Sequence, residues 1–194
     1  MAYKHGVYTS EVATSMVAPI TGTAGLQVIV GTAPVNMLKD PAAAVNVPLL
    51  VNSYKEAVEA VGYLPDFANY TLCECISANF GVVGIAPMVL INVLDPAKHK
   101  VAITGGTVQV NDGVAVLEET GVLLEGLTVK SGSNTLTAGT DYTTTWNDDG
   151  TLNIVVLSTG AGKEATSLTV TGNKIDPSKV TAADIVGGVD SSTG

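Results

Sequence analysis

Arginine is missing from this chain: all nine basic residues are lysine, set against 18 acidic ones, for a formal net charge of −9. Nucleic-acid recognition leans on arginine and on clustered positive charge, so direct DNA or RNA binding is not expected. An anionic membrane surface is disfavoured for the same reason. Cysteine is nearly absent too. Cys73 and Cys75 stand two apart in a predicted helix and point to different faces, which suits neither a shared metal nor a disulfide; they read as small apolar fillers in a reducing compartment. The two histidines, His5 and His99, have no metal-ligand partner at a useful spacing and read as solvated surface residues. Nothing in the start Met1-Ala2-Tyr3-Lys4-His5-Gly6 resembles the apolar stretch of a signal peptide, so synthesis and residence in the cytosol are expected. The most apolar window, 82–94, is too short for a bilayer span and contains Pro87; it reads as a buried strand with a turn before it.

What remains is a chain rich in Val, Thr and Gly, 46% hydrophobic and only 14% charged over 194 residues. That length can bury one good core or two modest ones. Low charge with abundant β-formers suits a sheet-rich protein that hides much of its surface in an assembly. The first residues point the same way. Gly6, Val7, Tyr8, Thr9, Ser10, Glu11 and Val12 alternate as an extended strand, followed by a Thr/Ala/Ser/Gly-rich connector over 14–25. A lone strand is unstable in water and must add to a sheet edge, and this connector is long enough to reach one on another molecule.

Along the rest of the chain, Leu26-Gln27-Val28-Ile29-Val30 reads as a buried strand closed by Gly31-Thr32-Ala33-Pro34. Ser53-Tyr54-Lys55-Glu56 fits a capping box for a short helix stopped by Gly62. Asp66 is placed to cap a second helix, whose apolar positions Phe67, Tyr70, Cys73, Ile76 and Phe80 recur at spacings of three and four up to Gly81. Residues 26–94 thus read as strand, helix, helix, strand, with the helices against one side of a sheet. Helical periodicity stops at 95–100. Short alternating runs take over until about 171, with turn signals at Asn111-Asp112-Gly113, Ser131-Gly132-Ser133-Asn134 and Asn147-Asp148-Asp149-Gly150. In the hairpin 141–157, Tyr142, Thr144 and Trp146 oppose Leu152, Ile154 and Val156, so an antiparallel sandwich or barrel of six or seven strands is expected. Helical signals return after Asp176-Pro177, with a capping box at Thr181-Ala182-Ala183-Asp184.

Chemistry is scarce. Gly160-Ala161-Gly162-Lys163-Glu164 imitates the end of a phosphate loop, but Leu157 and Glu164 stand where that motif needs Gly and a Ser or Thr hydroxyl. No GxGxxG follows the first strand. Asp148-Asp149 and Glu118-Glu119 read as solvated charges, the former without a regular calcium loop around it. No nucleophilic triad is apparent. Asn69-Tyr70-Thr71 is a glycosylation sequon by pattern only. No catalytic, cofactor-binding or metal residue is assigned.

The order strand, Gly-rich connector, apolar strand and G-T-A-P resembles the amino-terminal signature of contractile tail sheath proteins of long-tailed phages, defective prophages and R-type bacteriocins. The match is strengthened by Pro48-Leu49-Leu50-Val51-Asn52-Ser53-Tyr54-Lys55-Glu56, by Asn79-Phe80-Gly81, by the run 87–93 and by Ala138-Gly139-Thr140-Asp141-Tyr142. The resemblance implies an α+β chain: an extended arm and connector (1–25), the amino-terminal half of an α/β core (26–96), an inserted antiparallel β-domain (97–175) and a return segment toward the core (176–194). A family member would continue with a long carboxy-terminal part, so a fragment or truncated product is expected. The resemblance also implies a non-enzymatic structural subunit that needs no cofactor. Such subunits stack as hexameric rings around an inner tube, under control of a baseplate, with the strand at 6–12 linking them. They assemble in the host cytoplasm and end in a virion or phage-tail-like particle. An adhesion module built on the β-domain is the alternative, and a small α/β enzyme the third class.

Overall fold

The computed structural model describes residues 25–104 and 106–186. Its first layer is a three-stranded sheet made of β1 (Gln27–Gly31), β2 (Leu49–Val51) and β3 (Met88–Asn92), with β3 in the middle, parallel to β1 and antiparallel to β2. A parallel pair needs a long crossover, and residues 32–87 supply it. That crossover carries α1 (Tyr54–Val61) and α2 (Thr71–Ile76), which continues as a π-helical segment, Ser77–Val83. The Ser53 cap forms, its hydroxyl accepting from the Glu56 N–H at 3.2 Å, while the Glu56 carboxylate reaches one residue past the expected capping-box partner, to the Asn52 N–H at 2.8 Å. Ile29, Leu49, Val51, Met88 and Leu90 then meet Ala57, Val61, Leu72 and Ile76 in one core.

Three expectations for this layer change. Leu49–Val51, expected only as a lead-in to the helix, is a strand, too short for its alternation to stand out. The second helix starts at Thr71 rather than after Asp66, whose carboxylate instead takes the Asn69 amide at 2.7 Å. Its start is set by a distant contact. The Leu72 N–H donates to the Thr32 carbonyl at 3.0 Å and the Thr71 hydroxyl accepts from the Thr32 N–H at 3.1 Å, so the orphan groups of the helix end are satisfied by the turn after β1. A Cβ at Gly31 would run into that same Thr71 hydroxyl. The helix also runs past Gly81 to Val83, where Gly84, at φ +71°, closes it.

The second layer is one seven-stranded antiparallel sheet that curls toward a half-barrel. It contains β5 (Gly106–Asn111), β6 (Val114–Leu117), β7 (Thr128–Ser131), β8 (Asn134–Leu136), β9 (Tyr142–Trp146), β10 (Leu152–Val156) and β11 (Ser167–Thr171), in the order β8-β7-β11-β5-β6-β10-β9. Asp112 (φ 49°) and Gly113 (φ 79°) form the two-residue turn between β5 and β6 that their sequence signals. Trp146 faces Leu152, Thr144 faces Ile154 and Tyr142 faces Val156. Leu117, Val129, Leu152, Ile154, Leu168 and Val170 fill the concave side. The Asp141 carboxylate holds the loop beside β9 by accepting from the Ala161 N–H at 2.7 Å and the Thr137 N–H at 2.8 Å. These bonds, the one from Ala161 foremost, keep its carboxyl below the usual range.

A two-stranded ribbon, β4 (Lys100–Ala102) with β12 (Asn173–Ile175), joins the layers, and a third cluster of Leu64, Tyr70, Cys73, Leu94, Leu123 and Ile175 fills the joint. The Asn36 amide donates across it to the Val122 carbonyl at 3.3 Å. Here His99 departs from the solvated role expected of it. It is buried, because the ribbon brings the Asp176 N–H onto the His99 carbonyl at 2.8 Å and turns the ring inward. Its Nδ1 accepts from the Asp95 N–H at 3.0 Å, which leaves the ring proton on Nε2, 3.5 Å from Asp184 in the short helix α3 (Ala182–Val186).

Asn92, fully buried, ties this joint to β1. Its Oδ1 accepts from the Ala33 and Leu94 N–H groups, both at 3.1 Å, and its Nδ2 donates to the Leu94 carbonyl at 3.0 Å. Asn92→Ala strands three buried backbone groups, each worth about 1–3 kcal/mol. We expect urea denaturation to show a loss of at least about 3 kcal/mol with the slope m unchanged. For Asp141 the folded-state carboxyl lies below its unfolded value, so its contribution is present above the unfolded pKa and disappears as pH falls through the folded one. Asp141→Asn should therefore lower the melting temperature at neutral pH and converge with the parent in acid, which a melting series against pH checks.

Candidate assembly surface

The side chains with chemical potential are already engaged. Asp149 accepts from the Thr151 N–H at 2.9 Å and the Thr151 hydroxyl at 2.6 Å, the hydroxyl bond first in holding its carboxyl below the usual range. Glu119 pairs with Lys174 at 2.8 Å and accepts from the Thr104 N–H at 2.9 Å. In the phosphate-loop imitation, the Ala161 amide that an anion would need is occupied by Asp141. Burial pushes the Cys73 thiol up to about 11, away from the reactive thiolate, and Cys75 is raised by burial as well. Among the described residues there is no group of three or more His, Cys, Asp or Glu side chains able to hold a metal, and no helix long and apolar enough to cross a membrane.

The surface, by contrast, carries unsatisfied apolar groups, and they are organised. In the three-stranded sheet, Val28 lies beside Val89, which also faces Leu50, and Val30 lies beside Ile91. Side chains alternate across a strand, so these five share the face opposite the helices. Val28 is 57% and Leu50 58% exposed. The first strand was expected to be buried; on its inner face Gly31 is buried and Ile29 half-buried, and its outer face of Val28 and Val30 is open. A sheet containing a parallel pair is ordinarily covered on both faces. Because β3 is central, β1 and β2 each also keep one side without a strand partner among the described residues.

A second apolar feature sits at the end of the π-helical segment. Val82, Val83 and Ile85, in the turn expected before the strand of the window 82–94, are exposed, while Met88, Leu90, Val93 and Leu94 are buried. A shallow groove of about 300 Å³ lies between α1 and the turn before β2, floored by Leu38, Ala43, Leu49 and Ala60. None of these surfaces was assigned from sequence, because an apolar run carries no mark of whether its second face is covered by its own chain. Gly6, Val7, Tyr8, Thr9, Ser10, Glu11 and Val12, the strand assigned to link subunits, lie outside the described residues.

No family model matches the chain. No solved structure matches it either. Among curated proteins it is similar to the tail sheath protein of Burkholderia phage BcepMu, with 31% identity over 193 residues, 97% of this chain and 37% of that protein. The chain thus spans little more than a third of its relative's length. Over nearly its whole length the chain is thus similar to a part of a phage tail sheath protein.

Proposed function

We propose that this chain is the amino-terminal part of a structural, non-enzymatic subunit of a contractile tail sheath. The observation that carries the reading is the tail sheath relative, aligned along nearly the whole chain. The open face of the three-stranded sheet supports it, since a packed layer with one uncovered apolar side calls for further polypeptide or a neighbouring copy.

In this reading residues 1–25 are an arm and connector, 26–96 belong to the core, 97–175 form an inserted β-domain and 176–194 lead back toward the core. Subunits stack as hexameric rings around an inner tube. The strand of Gly6, Val7, Tyr8, Thr9, Ser10, Glu11 and Val12 adds to a neighbour's sheet, and the connector 14–25 takes up the backbone rotation when the sheath contracts. A baseplate triggers contraction, and the tube is driven through a cell envelope. New contacts between subunits supply the free energy. Each subunit moves as a unit, for which the packed joint around Leu64, Tyr70 and Ile175 is suited. Assembly takes place in the host cytoplasm, and the product is a virion or a phage-tail-like particle of bacteriocin or prophage origin.

Electron microscopy of the purified full-length parent should show striated sleeves or short contracted tubes. Removing residues 1–16 should abolish them while circular dichroism and the melting temperature stay at parental values. Unchanged tubes would remove the arm from the mechanism, and a parent that never polymerises would remove the sheath reading.

A further inference from the structure

Two crossings between the layers meet at one imidazole. The outgoing crossing is the turn 95–99, which leads from the first sheet into β4. It is closed by the Lys98 and His99 N–H groups on the Asp95 carbonyl, at 3.1 and 2.7 Å. The returning crossing leaves β12, where the Asp176 N–H donates to the His99 carbonyl at 2.8 Å, and ends in α3. It runs back beside the first layer, where Pro177 and Ile185 share a cleft with Thr32 and Asn69. The His99 side chain is buried between the two crossings. Its Nδ1 takes the Asp95 N–H at 3.0 Å, and its Nε2 stands 3.5 Å from the Asp184 carboxylate.

The two ring nitrogens make opposite demands on charge. Nδ1 accepts a backbone N–H through a free lone pair, so that bond exists only with the neutral ring. A second ring proton, placed on Nδ1, sets two donors against each other and leaves the Asp95 N–H without its partner. At Nε2 the sign is reversed: the neutral ring offers Asp184 a dipole, and the imidazolium offers it a full charge. Asp184 is anchored to receive it. Its carboxylate accepts from the Thr181 hydroxyl at 2.7 Å and the Thr181 N–H at 2.8 Å, and these bonds, the hydroxyl first, hold its carboxyl below the usual range. It therefore stays ionised over the interval in which histidines change charge, about pH 5–8.

The other charged groups around the joint are engaged elsewhere. Asp95 accepts from the Ala97 N–H at 2.8 Å, with Lys98 at 3.9 Å, and Asp176 accepts from the Ser178 hydroxyl at 2.6 Å. Lys179 donates to the Lys100 carbonyl at 2.7 Å, Lys174 pairs with Glu119 at 2.8 Å, and Lys100 is exposed. Among the described residues, Asp184 supplies the one carboxylate within 4.0 Å of a His99 ring nitrogen.

We propose that His99 is a proton-operated switch between the two crossings. The neutral ring holds the outgoing turn through the Asp95 N–H; the protonated ring releases that turn and clamps α3 through Asp184. Acid thus loosens the exit from the first sheet and tightens the return to it. The inference uses neither the arm strand nor the sheath reading.

Nitrogen-15 NMR of the 194-residue chain, titrated from about pH 8 to about pH 5, reads both halves of the switch. His5→Gln, outside the described residues, leaves His99 as the one imidazole signal. At the alkaline end the ring should be the Nε2–H tautomer. As it gains its second proton, the Asp95 N–H should lose at least about tenfold in hydrogen-exchange protection, corrected for the intrinsic pH dependence of exchange. Asp184→Asn should move the ring titration to lower pH, because it removes the carboxylate that favours the charged form. His99→Asn puts an amide oxygen where Nδ1 stood, and Asp95 protection should then be equal at both ends of the titration. An Nδ1–H tautomer, a ring that stays neutral until the chain unfolds, or Asp95 protection that is constant across the ring titration overturns the switch. So does a ring titration unmoved by Asp184→Asn. The tautomer and the Asp95 protection are read with His99 in place, so they decide the matter even where His99→Asn does not fold.

Discussion

The side chain of Asn92 holds the turn after β1 and the exit from β3 in one hydrogen-bonded knot, and both layers hang from it. A buried amide is costly unless its groups are paired. Here Oδ1 serves two backbone N–H groups and Nδ2 a carbonyl, while the backbone carbonyl of the same residue takes the Asn46 N–H. The knot fixes where the chain leaves the first sheet, and so where Leu94 enters the joint and Lys100 begins the ribbon. The Val93 N–H donates to the Gly31 carbonyl at 2.9 Å and extends the parallel pairing one step beyond β3.

From that junction outward the molecule is packed as a continuous body. One core lies under α1 and α2, one lies inside the curled sheet, and the joint cluster bridges them with Tyr70 just before α2, Cys73 from α2, Leu123 from between β6 and β7, and Ile175 from β12. Close approach replaces flexibility at the seam. Gly150, at φ +83°, sits so near Leu64 that a Cβ there would lie 2.6 Å from its Cδ1. The apolar surface that this packing leaves uncovered lies outside: on the sheet face of Val28, Val30 and Leu50, and at Val82 and Val83. Packing inside and apolar exposure outside are what a subunit of a larger assembly requires.

Local signals were legible wherever a few neighbouring residues decide the geometry. The Asn111-Asp112-Gly113 turn, the helix cap at Ser53 and the face shared by Tyr142, Trp146, Leu152 and Ile154 follow from backbone preference and a period of two. The start of α2 was not legible, because Thr32, 39 positions away, supplies its partner groups. His99 was misread for a related reason. Its neighbours Lys98 and Lys100 are exposed and its own type is ambiguous, while the pairing of β4 with β12 and the turn from Asp95 hold it inward.

By itself the sequence determined the α+β character, the turn positions, the lack of arginine-based recognition and the resemblance to sheath proteins, since each rests on composition or on residues close in the chain. Only the tertiary structure decided which apolar residues are covered. The runs of β1 and of 82–94 are both apolar, yet Val28 and Val30 of the first and Val82, Val83 and Ile85 of the second are open, while Met88, Leu90, Val93 and Leu94 are buried. Burial depends on what lies across a sheet or beyond a helix end, a relation between distant segments that periodicity does not carry.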